Sequence, residues 1–269
     1  MGKLLSYTSD EYGGVIVQMD GDSSMDSPTF VSSLNSSLAL WKQQGKKGIW
    51  LRLPIQQAYL VEAAVQRGFW YHHAERHYLM LVYWIPKSDH TLPQNATHRL
   101  GIGAFLINHN REVLVVQEKG GEYGGKGLWK LPTGAVDEGE DIYAAAVREV
   151  KEETGIDSEF VEILAFRQIH KSFFEKSDLF FLCMLRPLSF DIQKQDQEIE
   201  AAKWMPLEEY AAQPFVQKYE FLRYLHDICK AKIDGNYTGF SPIPTRSYSV
   251  QKSYLYLNVT EAPKKHSKL

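Results

Sequence analysis

The chain has 269 residues, of which 44% are hydrophobic and 23% charged, so it can build one large or two modest globular domains with a real core. The net charge of −3 creates no basic field, which excludes nucleic acid and anionic membrane surfaces as expected partners. The two cysteines, Cys183 and Cys229, form no C-x-x-C pair and are expected to be reduced, buried thiols.

The first part of the chain predicts a small α/β domain over residues 28–96, preceded by a polar segment at 1–27. Apolar periodicity within this domain predicts a helix, a strand, a helix and two strands, at 28–44, 49–53, 56–66, 69–73 and 78–84. His72 and His73 are neighbours on a predicted strand and should therefore face opposite ways, which argues against a zinc site.

A second domain is predicted over residues 97–233, followed by a loose tail at 234–269. Its strands are expected at 100–107, 112–118, 160–168, 179–185 and 201–205, the first two as a hairpin. Its helices are expected at about 141–154, 206–210 and 215–233.

The glycine-rich segment GGEYGGKG at 120–127 resembles a phosphate-binding P-loop only in part. Gly127 stands where a P-loop has the Ser or Thr that holds magnesium, and the following residues predict a strand instead of a helix. The segment is therefore interpreted as a hairpin or lid loop.

Residues 148–155 read REVKEETG and place Glu149, Glu152 and Glu153 on one face of the predicted helix. Such clustering costs an isolated helix roughly a few tenths of a kcal/mol per pair. A solvated acidic face is the simpler interpretation, but such a face normally mixes charges, and lysine is absent from this stripe. A hard divalent cation would remove the repulsion. Arg148 lies four residues before Glu152 and can orient it.

The segment from Gly134 to Ile156 reads G-AVDEG-E-DIYAAAV-RE-V-K-EE-T-G-I and resembles the Nudix box at every fixed position. That box runs Gly, five residues, Glu, seven residues, Arg-Glu-aliphatic-any-Glu-Glu-any-Gly-aliphatic. Nearly the whole chain is similar to plant Nudix hydrolases related to ADP-ribose and NADH pyrophosphatases, which carry a comparable N-terminal domain. The similar stretches are GKKGIWLRLP, YHHAE, LMLVYWIP, LPTG, LAFRQIH and EIEAAKWMP.

The resemblance implies an α/β (α+β) Nudix fold, with a mixed β-sheet between helices, and a homodimer. It also implies that the chain hydrolyses a nucleoside diphosphate that is linked to another group. The expected cofactor is Mg²⁺, with Mn²⁺ as the alternative. Metal binding is assigned by motif match to the Gly134 carbonyl, Glu149, Glu152 and Glu153. Arg148 would orient a glutamate, Glu140 would brace the loop and the site, and Gly155 would end the helix.

Catalysis in such a site requires a carboxylate that accepts the proton of the attacking water. Within the box the candidates are Glu152 and Glu153, with Arg148 as an orienting residue. Outside it, Glu198 and Glu200 precede a predicted strand and could approach the metal, although they could equally be an ordinary exposed pair.

Arg167, Gln168 and His170 are candidates for contacts with the substrate phosphates. Arg167 and Gln168 end a predicted strand, and His170 is expected on the loop that follows. Polar residues also occupy such positions without any function.

The sequence does not distinguish between several possible substrates. The SQPWPFP-like stretch that is associated with one NADH-cleaving subfamily is absent from the chain. The proline that marks many ADP-ribose pyrophosphatases would fall near His170, and the chain has no proline there. Overall resemblance favours ADP-ribose or NADH. A prenyl diphosphate such as geranyl or farnesyl diphosphate is the alternative, and coenzyme A is the third.

Two further hypotheses assign the chain a function other than catalysis. The chain could be a nucleotide sensor without catalysis, although the intact acidic residues argue against this. The N-terminal domain could instead act as a partner-binding or dimer-forming module.

The C-terminal Ser267-Lys268-Leu269 matches a peroxisomal import address, with the cytoplasm as the alternative location. The first six residues fit the loose myristoylation pattern at Gly2, but no stable membrane association is expected.

Overall fold

A computed structural model describes residues 3–19, 25–121, 124–246 and 252–258. Gly2 and the terminal Ser267, Lys268 and Leu269 lie outside the described residues. The chain divides into two units, Met1–Ala96 and Thr97–Leu269. None of the described helices is both long and apolar enough to cross a bilayer.

The first unit contains a mixed sheet with strands in the order β1-β2-β3-β5-β4. Its elements are β1 Thr8–Ser9, β2 Val15–Gln18, α1 Ser27–Gln43, β3 Gly48–Pro54, the 3₁₀ segment Ile55–Leu60, α2 Val61–Val65, β4 Trp70–Glu75 and β5 Tyr78–Trp84. Strands β1 and β2 lie within the segment at 1–27 that the sequence leaves outside the domain. Because β2 runs parallel to β3 with Val15 and Val17 buried, this segment contributes to the sheet and the core.

Helix α1 is fixed at its start by Asp26, whose Oδ1 accepts the Thr29 N–H at 2.7 Å, and Pro28 suits the first turn. Its buried Phe30, Leu34 and Trp41 belong to one apolar cluster with the strands. Burying these large side chains stabilises the unit.

The expectation that His72 and His73 face opposite ways is wrong. A register shift between Tyr71 and His73 inserts a bulge opposite β5. The two Nδ1 atoms consequently lie 2.7 Å apart, and His73 Nε2 lies 3.2 Å from the Tyr78 hydroxyl.

The second unit begins with β6 His98–Leu106, β7 Glu112–Glu118, β8 Thr133–Ala135 and α3 Ile142–Thr154. It continues with β9 Ser158–Phe173, β10 Lys176–Pro187, β11 Ile199–Pro206, α4 Leu207–Ala212, α5 Pro214–Lys218, α6 Glu220–Ile233, β12 Ser241–Arg246 and β13 Lys252–Leu257. In the described ranges the strands pair in the orders β8-β6-β10-β9, β11-β7 and β12-β13.

Three sequence expectations for this unit differ from the structure. Strands β6 and β7 join different sheets, and the turn between them is linked by the bridge between Ile107 and Val113 and by a hydrogen bond from the Asn108 N–H to the Glu112 carbonyl, so they are not a regular hairpin. His170 lies within β9, because this strand extends to Phe173 before it turns into β10. The predicted loose tail contains the β12–β13 hairpin, and Phe240 just before it bridges to Ile163.

The two faces of the β6 sheet carry different helices. Ile102, Ala104 and Leu106 pack with Ala145 and Val150 of α3. The opposite face contributes Phe105, Leu164 and Leu182 to a second cluster, with Leu207 and Tyr210 of α4, Val216 of α5 and Cys229 of α6. Cys183 and Cys229 are free and buried. The mixed α/β class with a sheet between helices is thus as predicted.

Candidate active site

Helix α3 carries the acidic face and has sharply defined ends. Asp141 precedes it in extended conformation, and Gly155 ends it in the left-handed conformation at φ 74°. The Gly155 N–H donates to the Lys151 carbonyl at 2.9 Å. A glycine adopts this C-terminal conformation without the strain that a Cβ brings.

Arg148 lies at the centre of a cluster of carboxylates. Its Nε and Nη2 donate to the two oxygens of Glu140 at 2.8 and 2.9 Å. Its Nη1 donates to Glu149 and to Glu152, each at 2.9 Å, and its Nη2 also donates to the Ala135 carbonyl at 2.9 Å. The guanidinium therefore holds two glutamates of the acidic face, the preceding loop and the end of β8 together.

The contacts with Arg148 and the burial of the carboxylates shift the pKa values of Glu140 and Glu149. Hydrogen bonding from Arg148 holds the pKa of Glu140 below its usual range. The Glu140 Oε2 also accepts the Asp137 N–H at 3.1 Å, so this carboxylate braces the loop before α3. Burial raises the pKa of Glu149, although its hydrogen bond with Arg148 acts in the opposite direction.

Glu153 is the buried member of the acidic face, with 5% of its surface exposed. Its Oε2 has no hydrogen-bond partner among the described residues. Burial is the main cause that raises the pKa of Glu153 to about 8; the positive charge of Lys130 lowers it, and the negative charges of Glu149 and Glu118 raise it further. The carboxylate also has a backbone hydrogen bond with Thr133, which lowers its pKa. A buried carboxylate oxygen without a partner is costly, and a cation is one way to compensate it.

Gly134 lies directly under the Glu149 carboxylate. It pairs with Ile102 in the β6–β8 ladder, and a Cβ built on Gly134 would overlap the carboxylate carbon of Glu149. The absence of a side chain therefore lets this carboxylate rest on the backbone of β8.

The residues fit a hard divalent cation. Within the described ranges, no three His, Cys, Asp or Glu side chains already converge on one point as a cation cluster. Arg148 binds oxygens of Glu149 and Glu152. However, the unpartnered oxygen of Glu153, the Glu149 carboxylate and the backbone at Gly134 are oxygen ligands of the kind that magnesium and manganese prefer.

A cavity of about 620 Å³ opens beside this group, and Lys130, Thr133 and Gly134 form part of its wall. The remainder of the wall is largely apolar and includes the aromatic rings of Phe180, Tyr210, Phe215, Tyr219 and Phe221. Such a concave aromatic site with a few charged groups is the usual form of a small-molecule pocket.

The three predicted phosphate-contact residues are divided between the two faces of β9. Arg167 lines the cavity, and its guanidinium lies 3.8 Å from the centre of the Phe221 ring. Gln168 instead contacts His98, with 2.5 Å between Nε2 atoms, and His170 contacts Ser177 at 2.9 Å. Because side chains alternate along a strand, only Arg167 of the three lines the cavity.

Glu198 and Glu200 are both exposed. The loop before them does reach α3, since the Gln195 N–H donates to the Glu153 carbonyl at 3.1 Å. Glu198 accepts a hydrogen bond from the Gln195 side chain at 3.3 Å. In the part of the chain that the structure describes, no hydrogen bond or ion pair joins either residue to a glutamate of α3.

Glu118 and Lys130 belong to the site but were not identified from the sequence. Lys130 forms an ion pair with Glu118, and both charges act on Glu153. A local pattern could not show this, because the bridge between Val116 and Lys130 is what brings the two segments together.

Family comparisons cover both units. The family described as Nudix hydrolase domain matches residues 5–85, and the NUDIX domain family matches residues 97–225. Nudix hydrolase 2 of Arabidopsis thaliana is 61% identical, covering 96% of this chain and 92% of that protein. Nudix hydrolase 10 of the same plant is 56% identical, covering 96% of this chain and 91% of that protein. The crystal structure of the MutT protein from Methanosarcina mazei Go1 is 20% identical, covering 52% of this chain and 99% of that chain, with a TM-score of 0.43.

The mixed sheet between helices and the glutamate-bearing helix define a hydrolase of the Nudix fold class. The chain belongs to the Nudix hydrolase family, over both its units. The resemblance inferred from the box at residues 134–156 is thus confirmed.

Proposed function

We propose that the chain is a magnesium-dependent pyrophosphohydrolase that cleaves the diphosphate linkage of a nucleoside diphosphate derivative, with ADP-ribose or NADH as the substrate. The observation that carries the proposal is Glu153, a buried carboxylate whose Oε2 has no partner among the described residues, beside an aromatic cavity. A bound magnesium ion would neutralise phosphate charge and lower the pKa of a water molecule.

The chain's own residues hold and orient the reacting groups. Glu149, Glu153 and the backbone at Gly134 provide the oxygen ligands, and Arg148 fixes the orientation of Glu149 and Glu152. Glu152, with 56% of its side chain exposed, and the buried Glu153 are the two box carboxylates that can accept the proton of the attacking water. The products are two monophosphates.

The cavity favours a nucleotide over a prenyl chain. Its aromatic rings can stack on a base, while Arg99, Arg167 and Asp178 also line it and suit the polar ribose and phosphates. A prenyl diphosphate could also pair its phosphates with the arginines, but its hydrocarbon chain would replace the polar ribose beside any charged group that the phosphates do not reach, which is unfavourable. The apolar remainder of the wall nevertheless makes geranyl or farnesyl diphosphate the second candidate.

The test is a hydrolysis panel with Mg²⁺ that contains ADP-ribose, NADH, coenzyme A, geranyl diphosphate and farnesyl diphosphate. Wild type is compared with Glu153→Gln, which removes one carboxylate charge with little change in volume. We expect turnover of ADP-ribose or NADH by wild type and a loss of roughly 10²-fold or more in the variant. Equal turnover by Glu153→Gln would exclude the metal assignment. Turnover of only the prenyl diphosphates would overturn the nucleotide substrate, and nucleotide binding without turnover would favour a sensor.

A further inference from the structure

Lys130 lies at the boundary between the buried carboxylate and the cavity. Its backbone is fixed by paired hydrogen bonds with Val116, at 2.9 and 3.0 Å, which attach this segment to β7. The position of the Lys130 backbone is therefore set by its pairing with β7.

Two neighbours hold the ammonium group of Lys130. Its Nζ donates to the Thr133 hydroxyl at 2.7 Å and forms an ion pair with the Glu118 carboxylate. The side chain is only 19% exposed, and Lys130 is part of the cavity wall. The four-carbon stem is thus ordered before any ligand binds, which reduces the entropy that a ligand contact would cost.

An ammonium group has three N–H donors, and Thr133 and Glu118 account for two of them among the described residues. Its positive charge also acts on Glu153, so Lys130 lies close to the residue that we assign to the metal. A diphosphate linkage has a negative charge on each phosphoryl group. Lysine binds such groups as a point charge, whereas a purely structural ion pair has no need to line a cavity.

We propose that Lys130 binds the diphosphate of the substrate directly, and that Glu118 and Thr133 are positioning residues that direct its ammonium group to the cavity. This inference rests on the proposed function for the identity of the substrate. It adds a contact from outside the glutamate helix, on the segment that precedes β8.

The direct test is binding without metal, so that it does not depend on turnover. Calorimetry in EDTA measures the affinity for α,β-methylene-ADP, in which the bridging oxygen is replaced, and for adenosine, which has no phosphate. We expect Lys130→Met to weaken binding of α,β-methylene-ADP roughly tenfold or more, and to leave adenosine binding unchanged. Lys130→Arg should retain most of the affinity, since it keeps the charge.

Lys230→Met is the matched control, because Lys230 also pairs with a carboxylate, that of Asp234 at 2.5 Å, but belongs to α6 and does not line the cavity. Glu118→Gln should weaken binding less than Lys130→Met. In turnover assays with Mg²⁺, Lys130→Met should raise KM more than Glu118→Gln does.

Three outcomes would overturn the inference: unchanged affinity of Lys130→Met for α,β-methylene-ADP, equal loss of α,β-methylene-ADP and adenosine binding together with a lower Tm, or no binding of α,β-methylene-ADP by wild type in EDTA. The first shows that Lys130 makes no phosphate contact, the second shows a structural role, and the third shows that Lys130 does not bind the diphosphate in the absence of metal. If wild type hydrolyses no diphosphate in the panel, the proposed function fails, while the binding comparison still tests Lys130.

Discussion

Arg148 binds both oxygens of the Glu140 carboxylate, with Nε and Nη2 at 2.8 and 2.9 Å. Glu140 belongs to the loop before α3 and Arg148 to the middle of that helix, so this bidentate pair attaches the loop to the acidic face. The remaining donor, Nη1, holds Glu149 and Glu152. One planar guanidinium therefore orients three carboxylates, which a lysine ammonium at the end of a flexible chain cannot do in the same geometry.

The first prediction follows from that geometry. Arg148→Lys keeps the positive charge but loses the bidentate contact with Glu140, so we expect kcat/KM to fall roughly 10²-fold and the free energy of unfolding to fall by about 1–3 kcal/mol. Urea unfolding and hydrolysis assays measure the two effects. Arg186→Lys is the control, because Arg186 makes an exposed ion pair with Glu159. Equal effects of the two substitutions would show that the Arg148 geometry has no special role.

The second prediction concerns the close contact between Gly134 and Glu149. In Gly134→Ala the new methyl group would occupy the place of the Glu149 carboxylate, which must move away from β8. A displacement of about 1 Å at a reacting centre can cost roughly 10²-fold in rate, so we expect a loss of that size in kcat/KM. Gly120→Ala is the matched control, since its Cβ would meet open space. Retained activity in Gly134→Ala would mean that Glu149 does not need its observed position.

The third prediction is a pH dependence of stability in protein kept free of metal by EDTA. The folded-state pKa of Glu153 is about 8, against 4.5 for the free side chain, so the native state binds more protons between these values. Stability therefore falls as pH rises from about 4.5 to about 8. Glu153→Gln removes the titrating carboxylate and with it this pH-dependent loss of stability. The free energy of unfolding of the variant should therefore exceed that of wild type, and the difference should grow from about pH 4.5 to about pH 8, to on the order of 1–3 kcal/mol.

Urea unfolding at several pH values measures this difference. Glu152→Gln is the matched control, because 56% of the Glu152 side chain is exposed and its charge stays hydrated. A constant difference between wild type and Glu153→Gln at all pH values would contradict the burial of a titrating carboxylate.

The fourth prediction is that Mg²⁺ stabilises the folded protein through the same residue. A ligand that binds only the native state raises stability by about 2.7 kcal/mol at a concentration of 100 Kd, and the Tm of wild type should rise by several degrees. Glu153→Gln should show a much smaller rise, because the unpartnered oxygen is no longer a charged ligand. Thermal melts in EDTA and in Mg²⁺ give both shifts, and an equal rise in the two proteins would place the ion elsewhere.

The acidic helix could be predicted from the sequence because its signals are local. Apolar periodicity, the position of Asp141 and the left-handed Gly155 all lie within one continuous segment. The failures involve partners that are distant along the chain. Strand β6 pairs with β10 and β7 with β11, so nothing between β6 and β7 shows that they join different sheets.

Irregularities of a single residue, such as a β-bulge, also cannot be predicted from the sequence pattern. The bulge beside His72 reverses an alternation that the sequence alone presents as regular, and it places the two histidine rings in contact. The pairing of Lys130 with Glu118 depends on a single bridge between two segments that a glycine-rich loop separates.

The last prediction uses neighbouring residues of β9 as an internal control for the cavity. Arg167 lines the cavity over the Phe221 ring, whereas Gln168 contacts His98. Arg167→Ala should raise KM for ADP-ribose or NADH roughly tenfold or more, since it removes the charged group that we propose to contact the phosphates and uncovers the ring. Gln168→Ala, one position along the same strand, should leave KM within about twofold because its side chain does not line the cavity. Steady-state kinetics on both variants distinguish the two faces of β9, and a larger effect of Gln168→Ala would show that the substrate binds outside this cavity.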